Sequence, residues 1–163
     1  HLHQGMAGEN GPIVRNLSAT DDVASLISIL SVPFEGGVVS GFDFNPMADR
    51  LRLVGDNDQN FRINVDTGEV IEDGILAFAM EDANAGVNPN VTAAAYTNSF
   101  AGTTSTALYN IDPLLDQLLL QSPPNDGTLV TVGDLGIDFD LVGGFDILST
   151  AEGDNAAFAV SDS

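Results

Sequence analysis

The sequence predicts an all-β fold made of propeller-like antiparallel blades, incomplete in this chain, with one short helix near residues 21–30. Short apolar segments with a turn cluster every ~8–12 residues are typical of sandwiches, barrels and propellers. The motif Gly41-Phe-Asp-Phe recurs as Gly144-Phe-Asp-Ile, and such repetition favours blades over a sandwich. Helical spacing of apolar residues is clear in one segment alone.

The predicted helix follows the capping residues Thr20-Asp21-Asp22. Such residues just before an apolar i, i+3, i+4, i+7 pattern are typical of a helix start. The pattern is carried by Val23, Leu26, Ile27 and Leu30. A β-rich segment over residues 27–32 is the alternative interpretation.

From residue 38 onward, short strands alternate with clusters of turn-forming residues such as Asn45-Pro46, Asp66-Thr67-Gly68 and Asp73-Gly74. In Arg50-Leu-Arg-Leu-Val, alternation places the two arginines on one face of a strand and the two leucines on the other. The predicted strands span residues 39–44, 50–54, 61–65, 70–71, 75–80, 91–96, 106–111, 117–121, 129–132, 141–147 and 156–160.

The charge balance is strongly acidic, with 24 Asp and Glu residues against four arginines, no lysine and a formal net charge of −20. This charge repels phosphate backbones and anionic lipids, so we expect neither nucleic-acid binding nor membrane association. Self-repulsion is tolerated where salt screens it or divalent cations neutralise it, which indicates an extracellular, ion-rich setting. Plain solubility of an acidic protein is the alternative reading. No apolar run reaches the ~18 residues that would span a bilayer.

The chain has no cysteine, which removes disulfides, thiolate metal sites and cysteine nucleophiles. The serine-hydrolase, zinc-protease and P-loop templates are also absent from the sequence. Paired carboxylates leave glycosidase chemistry open on composition alone. However, Trp is absent and there are two tyrosines, so nothing indicates an aromatic sugar-binding cleft. We therefore expect the protein not to be an enzyme.

Three of the four arginines fall on two consecutive predicted strands. Bidentate pairing of guanidinium groups with nearby carboxylates would join these strands. Recognition of an anionic ligand such as a uronic acid is the functional alternative. The predicted ion-pair residues are Arg50, Arg52, Arg62, Asp43, Asp49 and Asp66.

Two places carry candidate metal ligands. His1 and His3 are the histidines of the chain, and an N-terminal amine with two imidazoles suits Cu(II). Packing and hydrogen bonding in a sheet is the alternative role for both. Asp56 and Asp58 begin a loop like that of an EF-hand, but position six is Phe61 instead of glycine. A turn with Asx hydrogen bonds, or a looser calcium site, would explain the two aspartates.

Several ordered motifs between residues 35 and 150 resemble the bacterial family called domain of unknown function 4394. They are Gly41-Phe-Asp-Phe-Asn-Pro-Met-Ala-Asp-Arg-Leu-Arg-Leu-Val, Gln59-Asn-Phe-Arg-Ile-Asn-Val-Asp-Thr-Gly, Val91-Thr-Ala-Ala-Ala-Tyr-Thr-Asn-Ser and Gln121-Ser-Pro-Pro-Asn-Asp-Gly. The resemblance implies a secreted, propeller-like β domain that often lies beside other extracellular modules, and it implies no activity.

The opening segment, His1-Leu-His-Gln-Gly-Met-Ala-Gly-Glu-Asn-Gly-Pro-Ile-Val, is similar to the closing motif of CHRD domains, the chordin-type β modules. With it, the chain divides into a CHRD-like strand and loop (1–20), a short helix and linker (21–37) and the propeller-like domain (38–163). Both resemblances are cut short. We expect either a fragment of a longer polypeptide or a chain whose sheets neighbouring subunits complete.

These observations favour an extracellular or cell-surface structural protein whose partner is itself, or another surface or matrix protein, in a filament held by strand pairing. A calcium- or glycan-binding module and a copper-binding protein are the alternatives, with calcium or copper as the cofactor. Asn16 and Asn90 begin N-glycosylation sequons, which weakly favour surface positions. The expected assembly edges are Ile13, Val14 and Leu17 at one end and Phe158 and Val160 at the other.

Overall fold

The computed structural model describes residues 2–3, 13–15, 39–150 and 153–161. These residues form strands joined by turns and one 3-10 helix, Pro124–Asp126, so the all-β prediction is confirmed for them. The helix predicted over residues 21–30 lies outside the described residues. None of the helical structure described here has the length and hydrophobicity of a membrane-spanning helix.

The strands are short. In chain order they are β1 (Leu2–His3), β2 (Ile13–Arg15), β3 (Ser40–Asn45), β4 (Arg50–Gly55), β5 (Asn60–Asn64), β6 (Glu69–Glu72), β7 (Ala77–Phe78), β8 (Ala93–Tyr96), β9 (Leu108–Asp112), β10 (Gln117–Gln121), β11 (Thr128–Asp134), β12 (Gly143–Ser149) and β13 (Asn155–Ser161).

The described strands form open sheets, none of which closes on itself. Sheet I is an antiparallel meander in the order β3-β4-β5-β6. Sheet II has the order β7-β11-β10-β9-β8, in which β7 is parallel to β11 and the other pairs are antiparallel. The β12–β13 pair is a two-stranded hairpin, and β1–β2 is a second two-stranded sheet.

The turn of the β3–β4 hairpin shows why the strands end where the sequence places Asx and Gly residues. Asn45 Oδ1 accepts hydrogen bonds from the N–H groups of Met47 (2.9 Å) and Ala48 (3.0 Å). Asp49, at the end of the same turn, has a positive φ of 49°. Asn and Asp tolerate this conformation and satisfy the backbone locally, which stops the ladder at the predicted position.

The predicted strand over residues 75–80 is shorter in the structure, where β7 is Ala77–Phe78. Its parallel register places Ala77 opposite Thr128 and Phe78 opposite Leu129. Phe78 is buried, whereas Ile75 and Met80 are exposed on either side of the strand. The apolar run therefore contributes two large side chains to the core, Leu76 and Phe78, while its ends leave the sheet.

Sheet I packs against one face of sheet II. Val54 of β4 belongs to a buried cluster whose other members lie on or next to sheet II. These are Leu76, Phe78, Val91, Ala94, Tyr96, Leu108, Leu119 and Leu129. Full burial of one such aliphatic or aromatic side chain stabilises a fold by about 1.5–3 kcal/mol. As predicted from alternation, Leu51 and Leu53 share a different cluster, which also contains Phe61 and Ile63.

The opposite face of sheet II packs against the segment that contains the β12–β13 hairpin. Ala93 and Ile111 of sheet II form a buried cluster with Phe139, and Phe145 of β12 packs against it. Sheet II therefore makes packing contacts on both faces. The edge strand of sheet II, β8, contacts both β3 of sheet I and β12 of the hairpin.

Candidate functional site

The β12–β13 hairpin exposes a strand edge. Its register runs from Gly143 opposite Ser161 to Ser149 opposite Asn155, which pairs one side of β13 along its length. On the other side, β13 has no strand partner within residues 2–3, 13–15, 39–150 and 153–161. That edge presents backbone N–H and C=O groups on which another strand can be built.

The side chains of β13 are also exposed, from Asn155 to Val160. Phe158 is 59% exposed and Val160 is 72% exposed, although both are apolar. The structure therefore places these two predicted assembly residues on a solvent-facing strand.

Polar contacts fix the hairpin to the rest of the molecule. Asn98 N–H donates to Asn155 Oδ1 (2.9 Å), and Asn155 Nδ2 donates to Asn98 Oδ1 (2.9 Å). At the other end of β13, the N–H of Asp140 donates to Ser161 Oγ (2.7 Å). Hydrogen bonds therefore fix both ends of β13 to the rest of the molecule, so its free edge lies on an anchored strand.

The arginines on β4 and β5 form ion pairs with a carboxylate that the sequence analysis did not select. Arg52 Nη1 and Arg62 Nε each lie 2.7 Å from Asp73 Oδ2. Arg62 Nη2 also donates to Asp73 Oδ1 (2.8 Å), and these hydrogen bonds raise the pKa of the Arg62 guanidinium. The Asp73 carboxylate, in the turn after β6, is thus bound by the guanidinium groups of both strands.

The predicted partners Asp43, Asp49 and Asp66 are therefore corrected. Asp49 and Asp66 are exposed turn residues, whereas the Asp43 carboxylate accepts backbone N–H groups instead of a guanidinium. Arg50 does not join the ion pairs: its Nη1 donates to the backbone oxygen of Asp49 (2.7 Å). The prediction used strand alternation and nearness in sequence, and neither shows that a carboxylate from a later turn contacts the arginines.

Arg52 is also the centre of a buried polar network between sheets I and II. Its side chain is 1% exposed. Its Nη1 donates to Asn60 Oδ1 (2.7 Å), its Nη2 to Asn125 Oδ1 (2.8 Å) and its Nε to Tyr96 Oη (3.3 Å). A buried charge is tolerated when its donors are satisfied in this way. The donors of Arg52 are therefore directed at protein groups, which indicates a structural role for this side chain.

Gln121 continues the network on sheet II. Its Nε2 donates to the carbonyl oxygen of Pro124 (2.7 Å), which directs its Oε1 toward Asn110 Nδ2 (2.8 Å). Asn110 Oδ1 is buried and has no hydrogen-bond partner in the structure. Sequence reasoning missed Asn60, Gln121 and Asn110, because polar residues inside a strand pattern give no signal that they face a neighbouring sheet.

Asp43 joins β3 to β8. Its Oδ2 accepts the N–H of Tyr96 (2.7 Å) and its Oδ1 accepts the N–H of Phe44 (2.7 Å). Burial raises the pKa of Asp43 above its usual value, the two backbone hydrogen bonds oppose this, and the charge of Asp146 raises it further. The two aspartates of the repeated Gly-Phe-Asp motif thus lie close enough to interact electrostatically.

The Asp56–Asp58 loop is a turn in which Asp58 has a positive φ of 67°. Burial raises the pKa of Asp58, and the charge of Asp56 raises it further. One carboxylate oxygen of Asp58, Oδ1, is buried without a hydrogen-bond partner. Within the described part of the chain, no group of three or more His, Cys, Asp or Glu side chains is placed to hold a metal ion. The calcium interpretation of this loop stays a prediction.

The remaining predicted residues are at the N-terminus. His3 belongs to β1, and Ile13 and Val14 belong to β2, for which the structure describes strand pairing alone. His1 and Leu17 lie outside the described residues, so the copper prediction also stays a prediction. The sequon at Asn90 does not lie on an exposed segment, because its residues Val91 and Thr92 are buried.

Comparison with known proteins gives one family. The family model described as Domain of unknown function (DUF4394) matches residues 8–163. This match is longer than the 35–150 segment in which the resemblance was recognised, and it begins inside the segment that resembles CHRD domains. That second resemblance stays a prediction. No curated protein and no solved structure matches the chain.

Proposed function

The chain belongs to the DUF4394 family of domains of unknown function, and from this premise we propose that it is an extracellular structural subunit which assembles with its own copies by strand pairing. The observation that carries the proposal is the edge of β13. That strand is hydrogen-bonded on one side, exposed along its length and anchored at both ends. An edge of this kind is a template for an incoming strand.

The composition of β13 supports this role. Natural edge strands are protected from association by lysine, by proline, by bulges or by a covering element. β13 has the sequence Asn-Ala-Ala-Phe-Ala-Val-Ser, without charge, proline or glycine. Low net charge and the absence of proline are two of the features of segments that pair with other strands, and Phe158 and Val160 add residues that favour strands. The strand therefore lacks the features that would keep it unpaired.

The arrangement of the sheets supports a propeller-like module. β8 contacts β3 on one side and β12 on the other, so the leading strands of sheet I, sheet II and the hairpin meet in sequence order. Sheet II is packed on both faces, as a blade between two neighbours would be. Against the four strands of sheet I, the hairpin forms half of such a blade. Among the described residues nothing pairs with the second side of β13, and we propose that a second copy supplies strands there.

The net charge of −20 supports an extracellular setting for this assembly. Copies with this charge repel one another over a Debye length of about 30 Å at 0.01 M salt and about 8 Å at 0.15 M. Pairing of backbone edges therefore needs dissolved salt or divalent cations in the surroundings.

Electron microscopy and sedimentation velocity of the purified chain at 0.5 M NaCl test the proposal. The variants Ala156→Pro and Ala157→Pro lie at neighbouring positions of β13, whose N–H groups point to opposite sides of the strand. At least one of them therefore removes a donor from the free edge and keeps the ladder with β12. We expect that variant to stay monomeric while the wild type forms ordered polymers.

The matched control is Ala101→Pro. Ala101 is exposed, and it occupies the second position of a turn in which Thr103 N–H donates to Phe100 O and Gly102 has a φ of 81°. Proline is well suited to that position. The control is therefore expected to assemble like the wild type. A wild-type chain that remains a folded monomer at every salt concentration would contradict the proposal.

A further inference from the structure

The segment that contains the β12–β13 hairpin covers part of one face of sheet II. Phe145 of β12 packs on the cluster formed by Ala93 of β8, Ile111 of β9 and Phe139. Farther from β8, the same face is more open. Val130 and Val132 of β11 are 37% and 54% exposed.

Register shows that these open residues belong to the covered face. Leu118 packs against the buried cluster beneath the hairpin. Leu120 lies two residues further along β10, so it points to the same face. Its partner across the ladder is Val130. Val132 is the extra residue of a β-bulge, since Leu119 pairs with Thr131 and Leu118 with Gly133, and it follows Val130 by two residues. Leu120, Val130 and Val132 thus form an apolar floor, which we call the outer floor.

β12 of the hairpin contacts β8, the edge strand of sheet II, and we call the β13 edge together with the outer floor the step. A strand added to the edge of β13 would extend the hairpin away from β12 and over β10 and β11. Its backbone would pair with β13, while its alternate apolar side chains would cover the outer floor. A partner that fits this surface would therefore supply a strand edge and an apolar face together. A single strand would leave part of the outer floor uncovered.

Resting on the proposed function, we infer that the occupant of this step is the β1–β2 pair of a second copy of the chain. β1–β2 is a two-stranded sheet that pairs with no other described strand. Two strands added to the two of the hairpin make four, the number in sheet I. The contact is head to tail, so repeating it produces an open polymer and not a closed dimer.

Charge complementarity favours this occupant over other strands of the chain. β2 ends in Arg15, whereas the sequence after Arg62 contains no lysine or arginine. Asp154, which is exposed, lies immediately before β13. The N-terminal pair therefore brings a cation to an acidic edge, which sheet II or a second hairpin does not do.

Cysteine cross-linking tests the partner, because the chain has no cysteine of its own. Val14→Cys is mixed with Ala157→Cys or with Ala159→Cys at 0.5 M NaCl and oxidised. We expect disulfide-linked dimers in at least one mixture. Val14→Cys mixed with Met47→Cys is the control, since Met47 is 54% exposed in the β3–β4 turn of sheet I, which packs on the other face of sheet II, and it should give none.

The outer floor is tested by the double variant Val130→Lys/Val132→Lys. We expect its critical concentration for assembly to rise at least about ten-fold, because two charges would be buried under the incoming strands. Met47→Lys/Val65→Lys adds the same charge at turn residues of sheet I that are 54% and 42% exposed, and it should assemble like the wild type. Circular dichroism melting checks that both variants are folded.

The outcomes separate this inference from the proposed function. Polymers that form normally with Val130→Lys/Val132→Lys, and without cross-links to residue 14, would overturn the β1–β2 partner and leave assembly at β13 standing. A monomeric double variant Val14→Cys/Ala159→Cys with its disulfide inside one chain would overturn both, since the chain would then close its own blade.

Discussion

Arg52 Nη1 and Asp73 Oδ2 lie 2.7 Å apart in the core, with side chains that are 1% and 5% exposed. The same carboxylate also pairs with Arg62. Asp73 is therefore the shared anion of two strands and connects β4 and β5 to the turn that follows β6.

Removing this anion should be strongly destabilising. Asp73→Ala leaves the buried Arg52 charge without its carboxylate, and breaking a buried pair in this way typically costs about 3–5 kcal/mol. Urea denaturation followed by circular dichroism measures the change in the free energy of unfolding. Asp66→Ala removes an exposed turn carboxylate and should change stability by less than about 0.5 kcal/mol. Equal losses in the two variants would argue against a special role for Asp73.

Gly41 should be sensitive to the smallest side chain. A Cβ atom at this position would lie 2.5 Å from the backbone carbonyl carbon of Ala93 and 2.5 Å from the backbone nitrogen of Ala94. Because backbone atoms cannot turn away as a side chain can, Gly41→Ala should lower stability by about 1–3 kcal/mol. Thermal melting measures it.

Gly133→Ala is the control for that substitution, since no atom lies within 4 Å of a Cβ placed there. Its melting temperature should stay close to that of the wild type. If both alanine variants melt alike, the close approach of β3 and β8 at Gly41 is not a constraint.

The Asp82 carboxylate should contribute to acid sensitivity. Burial raises its pKa, but hydrogen bonds from Asn84 N–H, Thr131 N–H and Thr131 Oγ1 outweigh this, so the pKa is lowered overall. A lowered pKa in the folded state gives stability that is present above the unfolded value of about 3.9 and is lost as pH falls through the folded value.

Melting temperatures between pH 2.5 and pH 7 test this. Asp82→Asn should be less stable than the wild type at pH 7, and the difference should shrink as the pH falls below about 3.9. Asp134→Asn, at an exposed carboxylate of β11, provides the comparison. A difference between the Asp82 variant and the wild type that grows in acid would show that the sign is wrong.

The Asn98–Asn155 pair should hold the C-terminal hairpin in place. Asn155→Ala removes both hydrogen bonds of the pair, along with the one that Ser149 Oγ donates. Backbone amides of β12 and β13 should then exchange with solvent faster in hydrogen-exchange mass spectrometry, and those of sheet I should not change. Asn57→Ala, at an exposed loop residue, should leave the hairpin amides unchanged.

Assembly should depend on salt. Raising NaCl from 0.01 M to 0.5 M shortens the Debye length, so the repulsion between copies of charge −20 is weakened. Light scattering should show a critical concentration that falls as salt increases. Polymers that dissociate on addition of salt would indicate pairing between opposite surface charges as the main attraction.

Local sequence features predicted much of the described fold. Turn clusters at Asn45-Pro46 and Asp66-Thr67-Gly68 mark the ends of β3 and β5. The alternation in Arg50-Leu-Arg-Leu-Val separates its leucines from Arg52, as observed. These features depend on contacts between neighbours along the chain. The predicted strand at residues 75–80 is longer than β7, because nothing within the apolar run marks where the chain joins and leaves the sheet.

The sequence by itself determined the β class, most strand positions, the acidic surface and the membership that the family model shows. Only the tertiary structure decided that Asp73, and not Asp43, Asp49 or Asp66, binds the arginines. It also decided that Asn60 and Gln121 face each other across two sheets. The physical reason is that turns and alternation depend on adjacent residues, whereas a buried ion pair depends on which distant segments pack together.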